Sequence, residues 1–243
     1  MGVYAGLHCE QKSVVLSLME KRQLVPNGKW EGEIFYAELE PHRPTFQLQK
    51  LIAALSWLNS DDLYPLHSAL VQPPNLDKEA IAFLGASKAG KGTIVSRLCG
   101  LPDPNTGQPS EAYYPTKWRY LTDDVLLLDS KKSITFLIGK ARTRCLNFPE
   151  KRVIIKPGSI NTEGYPIAAF VLLDKSRPGG EFIRLEAPAD IPKEVIGHSD
   201  IASPIYQIII GRPGLTITSV PVYTLGTNGN IQGTLDAINK IIN

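Results

Sequence analysis

The sequence predicts an α/β protein with a mixed β-sheet and a small αβ region at its N-terminus. Apolar runs of strand length outnumber amphipathic helical segments along the 243 residues. A glycine-rich segment, Gly85-xxxx-Gly90-Lys91, joins one apolar run to one of the few predicted helices. The polar residues 59–62 separate the first part of the chain from the rest. We therefore predict an N-terminal region over residues 1–62 and a larger domain over residues 63–243.

The N-terminal region contains two strand-like runs, residues 13–18 and 33–39. Pro26-Asn27-Gly28 between them predicts a turn that joins the two runs as a hairpin. An amphipathic helix with Thr45 as its cap is predicted after Pro44. Its apolar positions are Leu48, Leu51, Ile52, Leu55 and Leu58. No catalytic or binding group is predicted in this region.

The larger domain contains more strands than helices, which predicts a mixed sheet with an antiparallel portion. The apolar runs that predict its strands are residues 66–71, 80–84, 125–128, 134–138, 167–173, 205–210 and 215–225. One helix follows the glycine-rich segment and has Ile94, Val95, Leu98 and Cys99 on one face. A C-terminal helix has Asn230 as its cap and a face made of Ile231, Leu235, Ile238 and Ile242. Residues 101–119 predict a long loop.

Composition excludes several classes of protein. The chain is 43% hydrophobic with a net charge of +2, and it lacks a basic surface interleaved with aromatic residues, so neither disorder nor nucleic-acid binding is predicted. It has no apolar run long enough to span a bilayer and no basic stretch followed by an apolar leader. We expect no membrane partner and a cytoplasmic location. Three distant cysteines indicate reduced thiols rather than disulfides or a zinc site.

The glycine-rich segment has the arrangement of a phosphate-binding P-loop, in which a strand leads through the loop into a helix. Glycines allow backbone N–H groups to point at phosphate oxygens, the helix adds the positive end of its dipole, and Lys91 reaches the outer phosphates. We therefore predict a P-loop mixed sheet that binds a nucleoside triphosphate. The predicted nucleotide-binding residues are Gly85, Ser87, Lys88, Ala89, Gly90, Lys91, Gly92 and Thr93.

Mg²⁺ is held by oxygen ligands, and the part of the P-loop pattern that supplies one of them is incomplete here. The hydroxyl residue that normally follows the lysine and holds Mg²⁺ is replaced by Gly92, with Thr93 one position later. Candidate carboxylates follow apolar runs at Asp129, at Asp174 and at the pair Asp123-Asp124. Periodicity does not choose among these three. In an adjacent pair, one carboxylate can hold Mg²⁺ while the other accepts a proton.

A resemblance to a known family bears on this choice. The order LHSALV (66–71), GASKAGKGT (85–93) and YLTDDVLLLD (120–129) is similar to the HPr kinase/phosphorylase family and to its kinase-only relatives, which include lasso-peptide tailoring kinases. The same core resembles that of phosphoenolpyruvate carboxykinase. Residues 165–188 look like the pair of strands before a helix in the kinase-related members. The resemblance covers residues 63–243 and implies the HPr kinase/PEP carboxykinase type of P-loop fold.

The resemblance also implies roles for individual residues. Lys91 would bind the β and γ phosphates, Asp124 would be the catalytic base, and His67 would orient or stabilise the carboxylates. Asp123, with Thr93, would hold the metal, although the two aspartates could exchange roles. The chain lacks the Glu-x-Arg-Gly-Leu-Gly-Ile segment of true HPr kinase/phosphorylases, which argues against HPr as the substrate. Multimeric relatives make a homo-oligomer compatible with the resemblance.

These observations predict a kinase that uses ATP and Mg²⁺ to phosphorylate a hydroxyl. The acceptor would be a serine or threonine of a peptide or protein, or a small hydroxylated metabolite. One alternative is a nucleotide-binding regulatory module or inactive kinase relative, because the hydroxyl after the lysine is missing. Another is a small-molecule kinase of the adenylate-kinase type, which is suggested only by Gly-Lys-Gly-Thr at residues 90–93.

Overall fold

A computed structural model describes residues 3–6, 27–31, 34–38, 62–86, 88–102, 118–137, 141–143, 153–155, 164–192, 195–196 and 214–242. The first strands in these segments are β1 (Val3–Gly6), β2 (Asn27–Glu31), β3 (Ile34–Glu38), β4 (Leu63–Gln72), β5 (Ala80–Leu84), β6 (Arg119–Asp129) and β7 (Ile134–Leu137). The others are β8 (Ala141–Thr143), β9 (Val153–Ile155), β10 (Tyr165–Pro178), β11 (Phe182–Leu185), β12 (Ala189–Asp190), β13 (Thr216–Ile217) and β14 (Val222–Asn228). The helices are α1 (Lys91–Cys99) and α2 (Ile231–Ile242).

The largest sheet in these segments has seven strands in the order β11-β14-β10-β5-β4-β6-β7. Strands β5, β10 and β14 are parallel, whereas β4 is antiparallel to both of its neighbours, β5 and β6. The start of β10 also pairs with β7 through Tyr165 and Pro166. The five strands β10, β5, β4, β6 and β7 therefore form a closed set. The sheet is therefore mixed, as predicted, and the chain is an α/β protein.

The central strands form because side chains on both of their faces are buried. Successive residues of a strand face opposite sides, so Phe83 and its neighbour Leu84 enter different cores. Ala69, Phe83 and Val171 belong to the core that α1 and α2 cover, which we call the helix-side core. Leu84 and Phe170 belong to the opposite core. The residues that cover it include Ala189, Ile191, Val195, Ile196, Leu215 and Ile217. Continuous apolar runs are typical of such doubly covered strands.

Both predicted helices are confirmed. Ile94, Val95, Leu98 and Cys99 of α1 are buried. The side chain of Asn230 caps α2, where its Oδ1 accepts a hydrogen bond from the Gly233 N–H at 2.9 Å. Leu235 and Ile238 of α2 are buried, but Ile231 is 39% exposed, so the predicted apolar face starts later in the helix. No helix in the described segments combines the length and hydropathy needed to cross a bilayer.

Two predictions of strand and turn positions are wrong. Asn27 and Gly28 do not form a turn, because both lie in β2 and pair with β3 in the antiparallel sheet β1-β3-β2. The predicted strand 215–225 is two strands, β13 and β14, and Pro221 precedes the second. Proline lacks the N–H that a central strand must donate, so the ladder begins after it.

Several other predictions fall on residues outside the described segments. They are the strand 13–18, the helix around residues 48–58, most of the loop 101–119, the strand 205–210 and the nucleotide-binding assignment of Ser87.

The thiol of Cys99 lies in the helix-side core, and its burial raises its pKa to about 12. We expect iodoacetamide to leave Cys99 unmodified in the folded protein at pH 8, because the thiolate is the reactive form and is scarce far below the pKa. Peptide mapping by mass spectrometry would measure this, with the protein in denaturant as the control. Rapid native labelling would contradict the burial. The free energy of unfolding should also fall as the pH rises above 9.0, because the Cys99 thiol ionises at a lower pH in the unfolded chain than in the folded protein.

Candidate functional site

Residues 85–90, which we call the glycine-rich loop, connect β5 to α1 at the carboxyl edge of the parallel strands. A Cβ added to Gly85 would lie 2.8 Å from the Ala89 Cβ and 3.3 Å from the Leu173 Cβ, so the loop begins where only glycine fits. Gly90 and Lys88 have φ angles of 99° and 67°. Left-handed residues at this spacing turn the chain tightly before the helix, and such turns form anion-binding concavities in other proteins.

Lys91, the first residue of α1, places its ammonium group inside the glycine-rich loop. Lys91 is 9% exposed, and its Nζ donates hydrogen bonds to the carbonyl oxygens of Gly85 at 2.5 Å and Ala86 at 3.1 Å. The first turn of α1 contains no acidic residue, and its N-cap residue, Gly90, has no side chain that could cap the helix. The ammonium and the positive end of the helix dipole therefore act on the same space.

Gly92 and Thr93 follow in the first turn of α1, and both are half-buried. Gly92 has no hydroxyl to offer a metal. Thr93 supplies the first hydroxyl after the lysine, one residue later than the pattern requires.

His67 lies on β4 beside the start of the loop. Ser68 pairs with Leu84, the last residue of β5, and His67 is the next residue of β4 at this edge. His67 is 7% exposed, and it is on the same face of β4 as Ala69 and Val71 of the helix-side core. This buried histidine is therefore adjacent to the point where the chain leaves β5 for the loop.

The Asp123-Asp124 pair lies inside β6 and not at its end, because β6 continues to pair with β4 as far as Asp129. Asp123 pairs with Ala69 and Asp124 with Ser68. Position 123 thus belongs to the row of Ala69 and Phe83 on the helix side, and position 124 to the opposite row. Two strand spacings put the backbone of both residues about 10 Å from β5.

The register also relates the aspartate pair to His67. His67 pairs with Val125, so Asp123 is its diagonal neighbour on the next strand. Diagonal neighbours of this kind lie about 7–8 Å apart. The histidine and position 123 are therefore close on the helix side of the sheet, near the start of the glycine-rich loop.

Asp129 is remote from the loop. It pairs with Leu63 five residues beyond Asp124, a distance of about 17 Å along the strand. Its Oδ1 accepts hydrogen bonds from the N–H groups of Lys131 and Lys132, both at 3.1 Å. Asp129 therefore caps the turn after β6.

Asp174 lies near the loop, on β10. Its Oδ1 accepts hydrogen bonds from Ser176 N–H at 2.8 Å and Ser176 Oγ at 2.6 Å, and its Oδ2 accepts one from Arg177 Nε at 3.0 Å. The hydrogen bonds from Ser176, together with the Arg177 guanidinium, hold the pKa of the Asp174 carboxyl below its ordinary value. Only the Asp-x-x-Arg spacing in the sequence could have indicated this pair.

Thr227 of β14 also contacts the loop, and nothing in the sequence predicted it. Its hydroxyl donates a hydrogen bond to the carbonyl oxygen of Ala89 at 3.3 Å. Since Gly85 continues β5 and Ala89 contacts β14, the loop passes over the carboxyl end of β10, the strand between them.

A cavity of about 580 Å³ lies away from the loop. It is lined by Arg184, Leu185, Glu186, Ala187, Ala189 and residues 217–222. Val222 begins β14, whereas Thr227, which contacts the loop, is near its end. The cavity is therefore at the opposite edge of the sheet.

No protein-family model matches the chain, and no curated protein matches it. Among side chains in the described segments, no three of His, Cys, Asp and Glu come together as a metal site.

Proposed function

We propose that the chain is an ATP-dependent kinase that transfers the terminal phosphoryl group to a hydroxyl. The observation that carries the proposal is the Lys91 ammonium inside the glycine-rich loop at the start of α1. Amide groups of a tight loop, a helix N-terminus and a buried cation are the features that bind polyphosphates. The mixed sheet, with this loop at the carboxyl edge of β5, supports a P-loop fold of the HPr kinase/PEP carboxykinase type.

In this proposal, Lys91 exchanges its contacts with the Gly85 and Ala86 carbonyl oxygens for the outer phosphates of ATP. Phosphoryl transfer depends mainly on positioning and on neutralising charge, so this ammonium contributes most when charge develops on the transferred group. The acceptor hydroxyl belongs to a peptide, a protein or a small metabolite. A carboxylate of the Asp123-Asp124 pair accepts its proton, and His67 orients that carboxylate.

Mg²⁺ would neutralise the phosphates when bound. The donor set that fits it is the Thr93 hydroxyl in the first turn of α1 with one carboxylate of the aspartate pair, since Mg²⁺ prefers oxygen ligands. Water and phosphate oxygens complete its coordination in such sites.

The register favours Asp123 as the catalytic base, because position 123 is in the helix-side row of β6 and position 124 is in the opposite row. In this assignment Asp124 acts neither as the base nor as a metal ligand. We expect Asp123→Asn to lower kcat about 100-fold or more, because the proposed base is lost. Asp124→Asn, the matched control, should change kcat less than about tenfold. ADP release with Mg²⁺ and a library of serine and threonine peptides would measure both. An equal loss, or a larger loss in Asp124→Asn, would contradict the assignment.

Gly92 favours a second candidate, a nucleotide-binding regulatory module. Without a hydroxyl directly after Lys91, the loop could bind ATP yet hold Mg²⁺ too weakly for transfer. Calorimetry with ATP beside a phosphate-release assay separates the two candidates. Binding with turnover supports the kinase, binding without turnover over a broad set of acceptors supports the regulatory module, and absence of binding contradicts both.

A further inference from the structure

The carboxyl end of β10 and the turn after it, residues 174–180, are held firmly against β14 and α2. Gly179 N–H donates to Asn228 O at 2.8 Å, and Gly226 N–H donates to Glu181 O at 2.8 Å. A Cβ at Gly226 would overlap the carbonyl oxygen of Pro178, and one at Gly179 would overlap that of Asn230. Glycine is required at both positions, because the backbones pack in direct contact. Residues 174–177 are therefore presented by a rigid support.

Within this segment, Asp174 fixes the direction of Arg177. Oδ1 of the carboxylate accepts two hydrogen bonds from Ser176, and Oδ2 accepts one from Arg177 Nε. Among the contacts of the described residues, Nε is the only guanidinium atom of Arg177 that bonds, and the side chain is 40% exposed. The two terminal Nη groups thus remain available as a planar fork, which is the part of arginine that binds phosphate in a bidentate manner.

This fork belongs to the same edge of the sheet as the glycine-rich loop. Gly85 approaches Leu173, the residue before Asp174. On β14, the neighbouring strand, the Cβ of Arg177 packs against Gly226. Thr227, which follows Gly226, is hydrogen bonded to Ala89 of the loop. The loop therefore crosses the end of the strand that carries Arg177.

We propose that Arg177 binds the terminal phosphate of the nucleotide and that Asp174 is its positioning residue. The proposal rests on the proposed function, since it requires a polyphosphate in the glycine-rich loop. Arg177 would add a second cation to that of Lys91, so that a triphosphate is distinguished from a diphosphate. The carboxylate of Asp174 fixes the guanidinium through its hydrogen bond from Nε before the nucleotide arrives.

The test is calorimetric titration of the full chain with ATP and with ADP. We expect Arg177→Gln to weaken ATP binding about tenfold or more and ADP binding less than about twofold, because only the contact to the terminal phosphate is lost. Arg177→Lys should recover part of the loss, and Asp174→Asn should change the ATP/ADP ratio in the same direction by a smaller factor. Lys175→Gln is the matched control, since it removes an exposed cation from the same turn and should leave the ratio unchanged.

The outcomes separate this proposal from the proposed function. If Lys91→Ala abolishes binding while Arg177→Gln binds ATP like the parent, the nucleotide site stands and the role of Arg177 is wrong. If Asp174→Asn removes the Mg²⁺ dependence of binding while Arg177→Gln has no effect, Asp174 is a metal ligand instead. If the parent protein binds neither nucleotide, both proposals fall. Melting temperatures without nucleotide show whether each variant is folded.

Discussion

Lys91→Ala should abolish nucleotide turnover and lower ATP affinity by about 100-fold or more, the largest functional effect expected for this chain. The ammonium is buried, and it already lies inside the glycine-rich loop, where it bonds to the carbonyl oxygens of Gly85 and Ala86. Without it, phosphates entering the loop would meet those carbonyl dipoles with no compensating charge. ATP titration and ADP release would measure the two effects.

Lys78→Ala serves as the control, because Lys78 is an exposed lysine in the turn between β4 and β5. It should bind ATP like the parent. Lys91→Met tests whether loss of the ammonium, rather than loss of the alkyl chain in the core, explains the result. A Lys91→Ala protein that turns over ATP at the parental rate would exclude this loop as the active site.

The largest effect on stability is expected for Phe170→Ala, which should lower the free energy of unfolding by about 3–5 kcal/mol. Phe170 is fully buried in the opposite core, on a strand between β5 and β14, where it pairs with Ala82 and Val222. Removing the ring leaves a cavity that a sheet hydrogen bonded on both sides cannot close. Urea unfolding, with linear extrapolation to water, would measure the change.

Phe182→Ala is the matched control, because it removes the same aromatic ring from a position outside the two cores. Phe182 is on β11, is 37% exposed, and makes one edge-to-face contact with Tyr223 at 6.3 Å between ring centroids. Its loss should cost less than about 1.5 kcal/mol. Similar losses for the two variants would contradict the burial of Phe170 in the opposite core.

Local patterns predicted the elements that carry strong periodicity. The strand 80–84 coincides with β5, and the helix after it buries the four residues expected from its spacing. Asn230 caps α2 as predicted, since its side chain bonds three residues along the chain. These features depend on contacts within a few residues, which a single sequence expresses directly.

Long-range pairing limited the prediction of the site. Three acidic positions were equivalent in the sequence, because each follows an apolar run. The register separates them: Asp129 is far along β6, Asp174 lies on the strand that the glycine-rich loop crosses, and the Asp123-Asp124 pair is inside β6. Register arises from hydrogen bonding between strands distant in the chain, so no local pattern contains it.

The sequence by itself determined that this is a mixed α/β protein with a glycine-rich loop followed by Lys91, because glycine spacing, apolar periodicity and helix capping are local properties. Only the tertiary structure decided what surrounds that loop. It put His67 and position 123 on the helix side, and it packed Thr227 and the Asp174–Arg177 pair at the edge that the loop crosses. The physical reason is that strand order and register, set by the packing of two cores, bring together residues as far apart in the chain as Ala89 and Thr227.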